Sequence, residues 1–223
     1  MLLFHGSESI IKKPEYGKGR PNNDYGKGFY CTQDKVLACE WAVDLKRDGY
    51  VNCYELPIDE LTVLNLNSDK YCILHWITML LKNRRFELNS PLAVEAFRYL
   101  TMNFSVDLSG IDLIRGYRAD DSYFSFAEDF VNGVISMSQL QKAMKLGNLG
   151  EQIMLRSENA FHALTYTGCE GVSATEWYEQ KLLRDRKARI AYKNMSKDSY
   201  IKGDLYIIRL IDEEVKPNDP RLR

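Results

Sequence analysis

Residues 24–41, DYGKGFYCTQDKVLACEW, guide the interpretation of the whole chain. Two glycines, Gly26 and Gly28, stand just before the aromatic pair Phe29-Tyr30. Glycine adopts positive φ angles and lets two backbones approach closely, so this spacing predicts a tight turn that leads into a strand. The pattern differs from the dinucleotide and P-loop fingerprints, and alone it is typical of many strand beginnings.

A helix is expected directly after that strand. Asp34 is a suitable N-cap, and apolar residues recur after it at helical spacing, which predicts a helix over residues 34–46. Trp41 lies on this helix, so we expect Tyr30 and Trp41 on two elements that face each other across a narrow gap. Such a gap would be a slot for an aromatic ligand, with a buried core position as the other interpretation of Trp41.

The composition is that of an ordinary globular domain. The chain has 223 residues, of which 45% are hydrophobic. Thirty lysines and arginines stand against 31 acidic residues, which gives a net charge of -1 and no overall field for nucleic acid or an anionic membrane. No apolar run reaches the length of a transmembrane helix, and the start MLLFHGSES lacks the features of a signal peptide. These features predict a cytoplasmic chain with no membrane partner.

The metal-binding residue types are few and scattered. The five cysteines include no C-x-x-C pair, and the chain has only three histidines. Metal sites built from these side chains need closely spaced ligands, so we expect reduced thiols and no metal.

The order of predicted elements favours an α+β fold. We expect one domain over residues 1–223, in which 70–103 is a helical insertion and 174–223 is a C-terminal helix followed by a strand. Further helices are predicted at 123–131, 138–146 and 174–189. The predicted strands cover 2–4, 50–56, 61–66, 111–115, 151–155 and 205–211.

Three polar positions have open interpretations. Glu151 heads an apolar strand, and the pattern leaves open whether Glu151 or Gln152 faces a cleft. Asp120 and Asp121 form either the N-terminal cap of a helix or a general base that acts on an acceptor. The basic segment 181–189 is more typical of a solvated helix face than of a nucleic-acid contact.

Three separated motifs then align with a known superfamily. His5-Gly6 follows the first strand, residues 28–30 follow a glycine turn, and Glu151 heads a later strand. This order resembles the His-Tyr-Glu class of ADP-ribosyltransferases, which includes diphtheria toxin and the poly(ADP-ribose) polymerases. The segments FHGS, GRPNNDYGKGFYCT and GYRADD look closer still to a bacterial family of unknown function assigned to that superfamily. The resemblance covers residues 1 to about 170.

The resemblance implies a fold and an activity. The fold would be an ADP-ribosyltransferase-like split β-sheet core. NAD+ would be the substrate, no metal would take part, and mono-ADP-ribosyl transfer would go to a macromolecular acceptor, a protein rather than a nucleic acid. A role as a toxin or delivered effector, held in check by an inhibitory protein partner, is a further implication.

The resemblance also implies roles for individual residues in NAD+ binding. His5 would bond the adenosine-side ribose and Gly6 the nicotinamide amide, Tyr30 would stack on the nicotinamide ring, and Trp41 would form the second side of that sandwich. The residues that would bind NAD+ are His5, Gly6, Arg20, Gly28, Phe29, Tyr30 and Trp41.

The catalytic set would be Glu151, His5 and Tyr30. Glu151 would bond the nicotinamide-side ribose and stabilise the developing cation. Simpler interpretations remain: His5 caps a strand, Arg20 pairs with Asp24 instead of a pyrophosphate, and Glu151 is an exposed strand end.

Two departures narrow the expected chemistry. In the arginine-modifying toxins a Gln or Glu stands two residues before the catalytic Glu and the first motif carries Arg, whereas this chain has Leu149 and His5. Arginine is therefore disfavoured as the acceptor. NAD+ glycohydrolysis, and an inactive NAD-binding or partner-binding module, are the alternative functions.

Overall fold

A computed structural model describes residues 1–119, 121–146, 150–196 and 200–222 of the chain. The side chains of 121–123 and 196 lie outside this description. Within it, the fold is α+β, as the sequence predicts, and contains two separate β-sheets.

The first sheet is three-stranded and antiparallel. It consists of β1 (Leu2–Ser7), β3 (Gly49–Glu55) and β7 (Thr165–Val172), with β3 in the centre. The sequence predicts β1 and β3, but β7 was missed. It is largely exposed and contains Gly168 and Gly171, so it lacks the alternating apolar pattern of a half-buried strand.

The second sheet is four-stranded, in the order β2-β6-β5-β4. Strand β6 (Glu151–Leu155) pairs antiparallel with β2 (Phe29–Cys31) and with β5 (Leu113–Tyr117). Strand β4 (Val63–Asn65) pairs parallel with β5. All four of these strands were predicted, and the glycine turn before β2 is confirmed by the positive φ of 85° at Gly26.

Apolar side chains fill the space between the sheets. Leu3 and Tyr54 of the first sheet share a buried cluster with Ile153 and Leu155 of the second. The sheets are also joined through the backbone, where the N–H of Phe4 donates to Thr32 O at 2.8 Å and the N–H of Thr32 donates back at 2.9 Å. This junction places the end of β1 beside β2.

Helix α1 (Lys35–Ala42) begins as the sequence predicts. The Asp34 side chain accepts hydrogen bonds from the backbone N–H groups of Val36, at 2.9 Å, and Leu37, at 3.3 Å. These bonds satisfy two of the donors that every helix start leaves without an intrahelical partner. Asp34 is therefore the N-cap, and the helix ends at Ala42, earlier than the expected residue 46.

The largest hydrophobic cluster is helical. The segment 70–103 forms two helices as predicted, α2 (Ile73–Asn83) and α3 (Pro91–Phe104). They pack with α4 (Asp121–Val131) and α5 (Met137–Ala143) against the second sheet. This segment is thus part of the main core and not only a peripheral elaboration.

The C-terminal third contains α6 (Glu158–Ala163), α7 (Ala174–Ser196) and α8 (Ile207–Asp212), with a short 3-10 helix at Pro220–Leu222. The predicted strand over 205–211 is wrong. Ile207 and Leu210 are both buried, and because they stand three residues apart they share one face of a helix.

Two general properties follow from the described residues. No helix among them is both long and apolar enough to cross a membrane. The five cysteines are free, with Cys31 and Cys39 buried.

Candidate functional site

One cleft brings together the residues to which the resemblance assigns NAD+. It has a volume of about 1170 Å³ and is bordered by β1, β2, α1, β6 and α7. The residues expected to bind NAD+ all line it: His5, Gly6, Arg20, Gly28, Phe29, Tyr30 and Trp41. The volume exceeds the range of about 300–1000 Å³ that is typical of pockets for small drug-like ligands.

His5 is held in a defined orientation. Its Nδ1 lies 2.6 Å from the carbonyl oxygen of Tyr30, and its ring lies 4.4 Å from the Phe29 ring, centre to centre. Because a carbonyl oxygen only accepts, Nδ1 carries the proton and Nε2 keeps an acceptor lone pair. Burial lowers the pKa of His5, although the bond to Tyr30 opposes that shift. A neutral imidazole is thus available to accept a hydrogen bond.

Gly6 is required by the contact between β1 and α1. A Cβ atom at this position would lie 2.0 Å from the carbonyl oxygen of Ala38 and 2.9 Å from the Cβ of Trp41. Only a glycine lets the two backbones approach this closely. The contact places the β1 backbone directly beside Trp41.

Tyr30 offers its ring, and its hydroxyl group is already engaged. The hydroxyl donates to Gly26 O at 2.7 Å and accepts from the N–H of Tyr25 at 3.0 Å. Burial raises the pKa of Tyr30 above its ordinary value. The hydroxyl is therefore a structural group that fixes the ring at the cleft.

The face of Trp41 is covered by a cation. The guanidinium carbon of Arg118 lies 4.9 Å from the centre of the Trp41 ring, within the range of a cation–π contact. The indole Nε1 is buried and has no hydrogen-bond partner among the described residues. Tyr30 and Trp41 share the cleft as expected, but a flat ligand on this face of Trp41 would have to displace Arg118.

Gln152, and not Glu151, lines the cleft. The Gln152 amide donates to Asp24 Oδ2 at 2.7 Å. The Glu151 carboxylate accepts from Asn67 Nδ2 and from Arg115 Nε, each at 2.6 Å. Neighbouring residues of a strand point to opposite sides, which is why the two side chains separate. Of the two residues between which the sequence pattern leaves the choice open, Gln152 is therefore the one that faces the cleft.

Asp24 is a buried carboxylate in the lining of the cleft. It is only 4% exposed, accepts from the N–H of Ala119 at 2.8 Å and lies 3.4 Å from a guanidinium nitrogen of Arg84. Burial raises the pKa of Asp24, and these partners partly oppose the rise. The alternative in which Asp24 pairs with Arg20 is replaced by the pairing with Arg84.

The cleft is basic although the chain as a whole is not. Its lining includes nine lysines and arginines against four acidic residues, an excess of five positive charges. Glu40 does not line the cleft, but its ion pair with Arg184 reduces the excess of positive charge to four. An excess of one sign in a concave site attracts ligands of the opposite sign, so the cleft suits an anionic ligand.

Much of this charge comes from α7, whose basic segment 181–189 is, by its sequence pattern, more typical of a solvated face. Lys181, Arg184 and Arg189 all line the cleft. Their spacing of three, five and eight residues places them on one side of a helix, and this is the signal that was overlooked. We define Arg118, Lys181 and Arg184 as the basic wall of the cleft.

Asp120 lies outside the described residues, as does the side chain of Asp121. Helix α4 begins at Asp121, two residues before the start that the sequence predicts. Among the described residues, no group of three or more His, Cys, Asp or Glu side chains is arranged to hold a metal ion.

Comparison with known proteins identifies the family. A family model described as "Protein of unknown function (DUF3990)" matches residues 1–166. Neither the curated proteins nor the solved structures include a significant match. The match spans most of the chain and contains β1, β2, α1 and β6 of the cleft, whereas α7 follows it. The chain belongs to the DUF3990 family.

Proposed function

We propose that the protein binds NAD+ in this cleft and transfers the ADP-ribose group to a macromolecular acceptor. The observation that carries the proposal is the convergence of residues from separate segments. His5, Arg20, Tyr30 and Trp41 are assigned to NAD+ by the resemblance to ADP-ribosyltransferases, and all four line one basic cleft. The two separate sheets are compatible with an ADP-ribosyltransferase-like core, which is part of the same proposal.

The groups at the cleft suit the parts of NAD+. The free Nε2 of His5 is an acceptor for a ribose hydroxyl. The rings of Tyr30 and Trp41 provide aromatic surface for the nicotinamide, and the exposed guanidinium of Arg20 can bind a pyrophosphate through its planar fork. Each group therefore has a role that follows from its position and chemistry.

The transfer itself breaks the glycosidic bond between ribose and nicotinamide. Nicotinamide leaves with the bonding electrons, an acceptor nucleophile bonds to the same ribose carbon, and the proton of the nucleophile passes to a base or to water. The ribose develops positive charge in the transition state, and a fixed carboxylate nearby stabilises that charge. We assign this role to Glu151, which must first leave Arg115 and Asn67 and turn from the opposite side of β6 toward the cleft.

A second candidate function is NAD+ binding without turnover. The observation that favours it is the neutral amide of Gln152 at the cleft, next to a carboxylate that is held elsewhere. An amide cannot supply the charge that the transition state needs. The protein would then act as an NAD+ sensor or as a binding module for a partner.

The test is an assay with NAD+ labelled in its adenylate half. Purified protein is incubated with the label, with and without cell lysate, and released nicotinamide is measured. Glu151→Ala is the active-site variant and Glu60→Ala, an exposed position outside the cleft, is the matched control. NAD+ affinity is measured by calorimetry for all three proteins.

The outcomes separate the functions. Transfer predicts nicotinamide release and labelled macromolecule, both lost in Glu151→Ala and retained in Glu60→Ala. Free ADP-ribose without labelled macromolecule indicates hydrolysis. Tight NAD+ binding with no release in any protein supports the second candidate and contradicts transfer, and absence of NAD+ binding contradicts both.

A further inference from the structure

The basic wall contains polar groups that the resemblance does not explain. Arg118 follows β5, whereas Lys181 and Arg184 lie on α7, beyond the segment matched by the family. The wall borders the cleft beside Trp41, whose ring Arg118 covers. This side of the cleft is therefore built largely by the C-terminal part of the chain.

Two buried N–H groups on this side of the cleft have no partner among the described residues. Arg184 binds Glu40 through Nε, at 2.8 Å, and through Nη2, at 2.5 Å, while its Nη1 is buried without a hydrogen bond. The indole Nε1 of Trp41 is likewise buried without a hydrogen bond. A buried donor without a partner is unfavourable, so a ligand acceptor here would remove that cost.

Lys181 adds a charge that is poorly compensated. Its ammonium group donates to the carbonyl oxygen of Val43 at 3.3 Å, and not to a carboxylate. Burial lowers the pKa of Lys181, and the positive charge of Arg118 lowers it further. An anion bound beside Lys181 would oppose both shifts, since it stabilises the ammonium form.

We infer that the basic wall is a binding site for a phosphate-type oxyanion. The Arg184 guanidinium, the Lys181 ammonium group and the indole N–H of Trp41 border the same part of the cleft, and all three are donors. A terminal phosphate offers three non-bridging oxygens and the pyrophosphate of a dinucleotide offers four, which suits three donors better than the two oxygens of a carboxylate. Arg and Lys are the usual side chains at such sites. The site itself does not depend on NAD+ binding.

Two sources of phosphate have the same chemistry. One is the pyrophosphate of NAD+, and the other is a phosphate group on the acceptor molecule. Only the choice between these sources rests on the proposed function. If NAD+ displaces a small phosphate ligand from the wall, the dinucleotide is the source, and if both bind together, the acceptor is the source.

The experiment measures the binding of inorganic pyrophosphate by calorimetry in the full chain. Lys181→Met keeps most of the side-chain length but removes the charge, and it leaves the Arg184–Glu40 pair intact. Lys187→Met is the matched control, because Lys187 is exposed on the same helix and does not line the cleft. Lys181→Arg restores the charge, and thermal melts verify that all variants are folded.

We expect the wild type to bind pyrophosphate and Lys181→Met to bind it about tenfold more weakly, the size expected for the loss of one charge-assisted hydrogen bond. Lys187→Met should bind as the wild type does, and Lys181→Arg should recover most of the affinity. The inference is overturned if the wild type does not bind pyrophosphate or if Lys181→Met binds it equally well. Failure of NAD+ binding with retained pyrophosphate binding would contradict the proposed function but leave this site in place.

Discussion

The Nδ1 atom of His5 lies 2.6 Å from the backbone carbonyl oxygen of Tyr30. This bond joins the first strand of one sheet to the first strand of the other and determines which imidazole nitrogen can serve a ligand. The same bond therefore links the fold to the chemistry of the cleft, because the separation of the two sheets controls where Nε2 lies.

The pH dependence of stability should report the burial of His5. The pKa of His5 is lowered in the folded protein, so the unfolded chain takes up a proton first as the pH falls below about 6.5. Between pH 7.5 and 5.5, the free energy of unfolding of the wild type should fall relative to that of His5→Gln, by at most about 1.4 kcal/mol per pH unit. Denaturant unfolding at both pH values measures the difference. A difference that does not change with pH would show that His5 is not the titrating group.

Gly6→Ala should destabilise the protein and weaken NAD+ binding. The added methyl group would lie 2.0 Å from the carbonyl oxygen of Ala38, so β1 and α1 must separate. Overpacking of this kind costs about 1–3 kcal/mol or more, which thermal denaturation detects. Gly171→Ala is the control, because a Cβ atom there meets nothing within 4 Å. Equal melting temperatures for the two variants would contradict the close contact at Gly6.

The Arg184–Glu40 pair should be strongly coupled. Their side chains are only 18% and 6% exposed, so removing either partner leaves a buried charge without compensation. Arg184→Leu and Glu40→Leu should each cost about 3–5 kcal/mol, and the double variant should cost clearly less than the sum. A double-mutant cycle of unfolding free energies makes the comparison. Additive effects would mean that the pair contributes no coupling energy.

Arg115→Met should increase nicotinamide release under the transfer proposal. Arg115 holds Glu151 through a half-exposed ion pair, and pairs of this kind contribute about 0.2–1 kcal/mol. Removal of Arg115 makes the Glu151 carboxylate easier to move. This corresponds to an increase of up to about fivefold in the rate of nicotinamide release. Initial rates with labelled NAD+ measure the effect, with Arg98→Met as a control at an exposed pair. A lower rate would indicate that Arg115 positions Glu151 for catalysis and does not restrain it.

The sequence predicts elements well where the signals are local. The turn at Gly26, strand β2 and the N-cap Asp34 depend on neighbouring residues, and all are confirmed. The apolar run over 205–211 predicts a strand, but a short run of this kind fits either element. In the structure, contact with the helical core stabilises a helix there. Local pattern is insufficient in such segments.

The cleft could be predicted only in part. The motifs around His5 and Tyr30 identify one side of it, but the opposite side is formed by α7, whose position depends on packing and not on a motif. The choice between Glu151 and Gln152 illustrates the same limit. A strand places them on opposite sides, yet their types do not indicate which side meets the cleft.

Titration of the protein with NAD+ by calorimetry tests the central claim most directly. Trp41→Leu removes aromatic surface from the cleft, and Trp177→Leu is the matched control, since Trp177 lies on α7 but does not line the cleft. We predict one NAD+ per chain, an affinity about tenfold lower in Trp41→Leu, and an unchanged affinity in Trp177→Leu. No binding by the wild type, or equal binding by both variants, would contradict the assignment of this cleft to NAD+.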